Sequence, residues 1–213
     1  MMKTAIVLGA TGLIGKHVIA QLIQCDDIEK IIAITRRPID FGNKKVVSAQ
    51  VCFDQLTDYS DVFKGDLLFS CLGTTKKQAG SISMQRTVDF DYQLQAAQIA
   101  ARNKVPHYFL VSSSGANAQS RNPYLKMKGQ LEDEISKLGF AKICIVQPSL
   151  LLGKRDHFRL AETLGAYILP IVCKIPGLHK FRPIFGEQVA IKMVKISQSQ
   201  TYGKKTFKLD ELF

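Results

Sequence analysis

The chain has 213 residues, 46% of them hydrophobic, which suits one domain with an ample core. No apolar run reaches the roughly 18 residues that a membrane-spanning helix needs, so no integral membrane association is expected. The formal charge of +11 admits nucleic acid, an anionic membrane surface or an anionic ligand. The basic residues are spread along the chain, with pairs at Lys44-Lys45, Lys76-Lys77 and Lys204-Lys205. No basic run or nucleic-acid motif accompanies them, so nucleic acid is not an expected partner and most of the charge reads as solvated surface. Cys25, Cys52, Cys71, Cys144 and Cys173 show no CxxC or Cys/His spacing. Their odd number predicts reduced thiols, a cytoplasmic location and no metal site.

Taken in chain order, apolar bursts suited to buried parallel strands fall at residues 4–8, 30–35, 46–53, 66–71, 107–112 and 141–147. The first of these leads straight into a glycine motif and reads as a strand, not as a signal peptide. Helical spacing marks residues 13–24, 83–103 and 123–138, the last ending at Gly139. This alternation predicts an α/β fold, a Rossmann-type doubly wound parallel sheet. Residues 156–173 read as a helical stretch broken by Pro170, and residues 187–197 as a last amphipathic helix. The expectation is one NAD(P)-binding domain over residues 1–213. Residues 150–213 form an integral cap on the carboxyl edge of the sheet and shape the substrate pocket.

The first motif is Gly9-Ala10-Thr11-Gly12-Leu13-Ile14-Gly15, after the first strand and opening the first helix. Gly9 allows the tight turn, Gly12 lets backbone approach a pyrophosphate, and Gly15 lets the helix pack on the sheet. The helix N-terminus offers N–H groups and a positive dipole end to phosphates. Thr11, Leu13 and Ile14 complete the loop and join the glycines as cofactor-binding candidates. The GxxGxxG spacing resembles the short-chain dehydrogenase/reductase superfamily, in particular its extended and atypical members.

About 20 residues further on, a NAD-binding protein places an acidic residue on the ribose 2′-hydroxyl. This chain has Thr35-Arg36-Arg37 there, and its nearest downstream carboxylate is Asp40. Two guanidinium groups with no carboxylate between them favour a 2′-phosphate and hence NADP(H). Arg36 is also suited to stacking on adenine. The third strand ends in Cys52-Phe53-Asp54, and Asp54 matches a superfamily position near the adenine. The fourth strand runs into Leu72-Gly73-Thr74, which lie beside the cofactor's ribose and pyrophosphate.

CLGTT at 71–75, VDFDY at 88–92, LVSSSGAN at 110–117 and YLKMKGQLE at 124–132 follow in order. Together they resemble the Tat-interacting-protein subfamily of atypical short-chain dehydrogenases/reductases, over about residues 3–155. The resemblance implies a Rossmann fold and NADPH binding. It implies that Tyr124 is the general acid/base and that Lys128 lowers the tyrosine pKa and anchors the nicotinamide ribose. A YxxxK pair on a helix stands one turn apart on one face. A serine at the end of the fifth strand, 11–13 residues before the tyrosine, would polarise the substrate oxygen. Ser112 and Ser113 both qualify and Ser114, one residue nearer, is a third candidate; the sequence does not choose among them, and Ser113 is preferred. Pro148 and Leu150, after the sixth strand, match nicotinamide-end contacts. Asp89 stands near the place where extended members carry an asparagine, a departure that leaves the proton relay incomplete.

The leading expectation is hydride transfer between NADP(H) and a small carbonyl or alcohol, by a monomer or dimer. The alternative is a non-enzymatic NADPH-dependent redox sensor that reports to a protein partner. A third reading places residues 161–173 and the basic tail on an anionic membrane surface.

Overall fold

The structure is a computed structural model that describes residues 2–152, 182–199 and 202–213. Strands β1 (Lys3–Leu8), β2 (Ile28–Thr35), β3 (Val46–Gln50), β4 (Leu67–Ser70), β5 (His107–Val111), β6 (Lys142–Gln147) and β9 (Gly203–Lys208) form one sheet. Its order is β3-β2-β1-β4-β5-β6-β9, and every pairing is parallel. The short strands β7 (Leu151–Leu152) and β8 (Ile184–Phe185) pair in parallel beside it. The helices are α1 (Gly15–Ile23), α2 (Lys76–Ala79), α3 (Ile82–Arg86), α4 (Tyr92–Arg102), α5 (Pro123–Ser136) and α6 (Gly186–Ser197).

The period of two along each interior strand divides the core into two layers. Ala5 and Val7 of β1, Phe109 of β5 and Cys144 of β6 face α1 and α6. Ile6, Leu8, Tyr108 and Ile143 face the opposite layer, with Ala96, Ile99, Leu131 and Ile135 of α4 and α5. Because both faces are covered, these strands read in sequence as unbroken apolar runs. Phe69 and Phe109 stack across β4 and β5 with ring centroids 4.6 Å apart.

The strand order reverses between β1 and β4, and this reversal opens a crevice at their carboxyl ends. Three elements depart from the sequence reading. The chain leaves β3 at Gln50, and Phe53–Phe63 forms a 3₁₀ segment. The helix expected over 83–103 is broken into α3 and α4 by a π turn at Thr87–Asp91. Residues 203–208 supply a seventh strand that the sequence did not announce, with Lys204 and Lys205 on an exposed sheet edge.

In the C-terminal region, residues 184–186 lie against the glycine loop: a Cβ on Gly186 would stand 2.7 Å from the Leu13 carbonyl oxygen. The following α6 adds Val189, Ala190, Met193 and Val194 to the layer that holds α1. Residues 156–173, the expected helical stretch and surface segment, lie outside the described residues. Among the described residues no helix is long and apolar enough to cross a membrane.

Candidate functional site

The crevice is built first by the loop after β1. Gly9 has φ +78°, and a Cβ there would stand 2.6 Å from the Leu72 nitrogen. Only glycine meets both the left-handed backbone and that close approach. A Cβ on Gly15 would stand 2.2 Å from the Gly9 carbonyl oxygen, so α1 packs directly on the loop. The Gly12 N–H donates to the Gly9 carbonyl at 2.9 Å and closes the turn. No side chain caps α1, and no acidic residue stands in its first turn. Its positive end and uncapped N–H groups are therefore available to an anion. Thr11 is exposed, whereas Leu13 and Ile14 bury their side chains and leave only backbone for a ligand.

Arg36 and Arg37 follow β2 directly and are both exposed. Asp54, also exposed, accepts a hydrogen bond from the Tyr92 hydroxyl. The Tyr92 ring lies 5.3 Å from that of Phe53. Burial, and then the Asp54 carboxylate, push the Tyr92 hydroxyl up to about 12, while Arg36 acts the other way. Arg36, Asp54 and Tyr92 thus share one corner of the carboxyl edge. Tyr92 was not selected from the sequence, although it closes the VDFDY motif.

On the other side of the crevice, Asn122 caps α5 by accepting from the Tyr124 and Leu125 N–H groups at 2.9 and 3.3 Å. Pro123 at the first helical position fixes the entry. Tyr124 is half-buried, and among the described residues none takes up its hydroxyl. One turn later Lys128 is buried and donates from Nζ to the Val111 carbonyl at 3.3 Å. Its Nζ lies 3.4 Å from Asp89 Oδ1. Asp89 Oδ2 accepts from the Thr74 N–H at 2.9 Å. Half-buried Leu72, exposed Gly73 and half-buried Thr74 form the wall below this pair.

The two serines have different surroundings. Ser112 is 4% exposed and donates its hydroxyl to Glu132. The same carboxylate accepts from Gln147 Nε2 at 2.9 and 3.0 Å. Ser113 is half-buried, and among the described residues its hydroxyl reaches only the Ser114 carbonyl, at 3.4 Å. Buried Pro148 accepts from the Ser114 N–H at 2.9 Å, and the Leu150 carbonyl accepts from the Ile184 N–H at 3.0 Å. The first bond ties together the loops after β5 and β6, and the second ties the loop after β6 to β8. Glu132 was missed, although its spacing of four from Lys128 on the same helix was a usable signal.

Cys71, at the end of β4, has its thiol pushed up to about 12 by burial, with Lys128 acting against the shift. Among the described residues Cys25, Cys52, Cys71 and Cys144 are free thiols. No group of three His, Cys, Asp or Glu among them is placed to hold a metal ion.

A protein-family model described as NAD(P)H-binding matches residues 9–162. The chain belongs to the NAD(P)H-binding family. Within it, the chain falls in the Tat-interacting-protein-like group of atypical short-chain dehydrogenases/reductases. It is 36% identical over 162 residues to the mitochondrial protein FMP52 of Candida glabrata, covering 74% of this chain and 68% of that protein. It is 34% identical over 167 residues to protein HTATIP2 of Rattus norvegicus, covering 76% of this chain and 69% of that protein. The fold is shared with the Bordetella bronchiseptica enzyme WbmH in complex with NAD+. That match has a TM-score of 0.70 at 14% identity, over 98% of this chain and 76% of the other.

One expectation is corrected by these relatives. FMP52 proteins of several fungi carry a mitochondrial designation, which points away from a cytoplasmic location. Free thiols suit any reducing compartment, so the cysteine count did not discriminate between the two.

Proposed function

We propose that this NAD(P)H-binding family member is an NADPH-dependent reductase or dehydrogenase acting on a small carbonyl or alcohol. The observation that carries the reading is the α5 pair: Tyr124, whose hydroxyl no described residue takes up, and Lys128 buried one turn away against the end of β5. The cofactor class is supported by the crevice itself, where glycines 9, 12 and 15 let the loop and the segment after β4 close up tightly beside an uncapped helix end. When bound, the reduced nicotinamide supplies a hydride. Tyr124 then gives its proton to the carbonyl oxygen, so that the carbon gains the hydride and the oxygen the proton. Lys128 favours the phenolate left behind and offers ammonium donors to a ribose hydroxyl. Ser113, whose hydroxyl makes one long contact among the described residues, is the residue to hydrogen-bond the substrate oxygen.

Arg36 and Arg37 are the basis for preferring NADPH over NADH. A charged hydrogen bond is worth roughly 1.5–3 kcal/mol, or about tenfold to a hundredfold in affinity for one good contact to a 2′-phosphate. Asp54 stands on the adenosine side, and Leu72, Gly73, Thr74, Pro148 and Leu150 line the rest of the cofactor path.

The test is NADPH-dependent turnover across a panel of aldehydes and ketones. Tyr124→Phe lowers turnover on every responsive substrate by roughly 10²–10⁴-fold without changing the melting temperature. Full activity in that variant removes Tyr124 from its role. Tight NADPH binding with no turnover on any substrate supports a cofactor-state sensor acting through a protein partner instead.

A further inference from the structure

The hydride-transfer reading leaves one buried charge without a task. Asp89 sits in the π turn between α3 and α4, and its side chain is 2% exposed. Such wider turns recur at functional sites, where they redirect a side chain that an α-helix would place elsewhere. Here the turn brings the carboxylate against Lys128, whose side chain is 3% exposed. An ammonium buried to that degree without a counter-charge sheds its proton.

We propose that Asp89 is a positioning residue that keeps Lys128 charged and fixed at the end of β5. This rests on the reading of Lys128 as ribose anchor. The other titratable groups around Lys128 do not replace Asp89. Cys71 faces it from β4, and burial keeps that thiol protonated. Glu132, one turn along α5, is held by Ser112 and Gln147. Tyr124, one turn the other way, is the group that Lys128 is to serve. Among the described residues Asp89 is the carboxylate within ion-pair distance.

Asp89 is itself held from three sides. The Thr74 N–H donates to its Oδ2 at 2.9 Å. Its backbone carbonyl accepts from Gln93 Nε2 at 2.9 Å, and Gln93 Oε1 accepts from the Ser70 hydroxyl at 2.8 Å. Ser70 and Gln93 are fully buried. A polar chain thus runs from β4 through α4 and the π turn to α5, ending on the Val111 carbonyl of β5. Through Thr74 it also sets the loop that lines the cofactor path.

Asp89→Asn separates charge from shape, because the amide oxygen can still accept from Thr74. The readout is the ¹³C shift of the Lys128 ε-carbon against pH in the cofactor-free protein. The expected result is that the Asn variant loses the Lys128 proton at a lower pH than the wild type. NADPH affinity in the variant, followed by nucleotide fluorescence, then falls by about tenfold or more as pH rises through that titration, while the wild type stays flat. Identical Lys128 titrations in the two proteins overturn the proposal. Should Asp89→Asn fail to fold, Lys128→Met and the double variant decide: the proposal requires the double variant to melt higher than Lys128→Met, and equal melting overturns it. If the wild type binds no NADPH, the enzyme reading fails, and the Lys128 titration still decides the pairing.

Discussion

Ser112 and Ser113 are adjacent yet differently surrounded, and their alanine variants separate the structural duty proposed for the first from the catalytic duty proposed for the second. Ser112 is 4% exposed and its hydroxyl is spent on Glu132, a carboxylate that Gln147 also holds. A hydrogen bond to a charged group contributes about 1.5–3 kcal/mol. Glu132 is only half-buried and keeps Gln147, so the low end applies, about 1.5 kcal/mol for Ser112→Ala. In a chain of this length that lowers the melting temperature by roughly 3–6 °C. Ser113 has one contact of 3.4 Å to lose, so Ser113→Ala leaves the melting temperature within about 1 °C. Its turnover falls instead, by about 10²–10³-fold if it polarises the substrate oxygen. Differential scanning fluorimetry and steady-state rates on the same two preparations give both readouts. Ser112→Ala losing turnover at unchanged melting, with Ser113→Ala silent, refutes the assignment.

Two further outcomes concern the opposite edge of the sheet. Lys142 is buried and donates from Nζ to the Ile196 carbonyl at 2.7 Å, the Ser199 carbonyl at 2.9 Å and the Ser199 hydroxyl at 3.1 Å, so it closes the end of α6. Lys142→Met removes three donor contacts from the end of α6 and is expected to cost about 2 kcal/mol in urea unfolding; a change under about 0.5 kcal/mol contradicts the capping role. His107 has a buried Nδ1 without a partner among the described residues. Burial first, then Lys142 and Lys3, hold its pKa below the ordinary value. The unfolded chain therefore takes up this proton first as pH falls below about 6.5, and stability is lost from there down through the folded pKa. His107→Gln flattens that part of the curve, and parallel curves for the two proteins between about pH 7.5 and 5 contradict it.

The interior strands were legible because burial on both faces writes itself as continuous apolar sequence, as in Ala5–Leu8 or residues 143–146. β9 was not, because an edge strand carries lysines that discourage further pairing and so reads as polar tail. The glycine loop was legible from its spacing, since Gly12 and Gly15 answer demands made by the Gly9 carbonyl within the same loop, whereas the close approach of Leu72 to Gly9 comes from the segment after β4 and was not. The Tyr124–Lys128 pair followed from helix spacing. The Asp89–Lys128 contact did not, because a π turn shifts the helical register and the partners meet only after α3, α4 and α5 are packed. The choice between Ser112 and Ser113 was equally closed to sequence, since it turns on Glu132, which approaches from another element.

Whether the dinucleotide site is tuned to NADPH is decided by calorimetric titration of NADPH and NADH against the wild type and the Arg36→Ala/Arg37→Ala variant. The expected result is at least about a tenfold preference for NADPH that the double variant abolishes while NADH affinity holds. Equal affinities in the wild type, or a preference that survives loss of both arginines, contradict it.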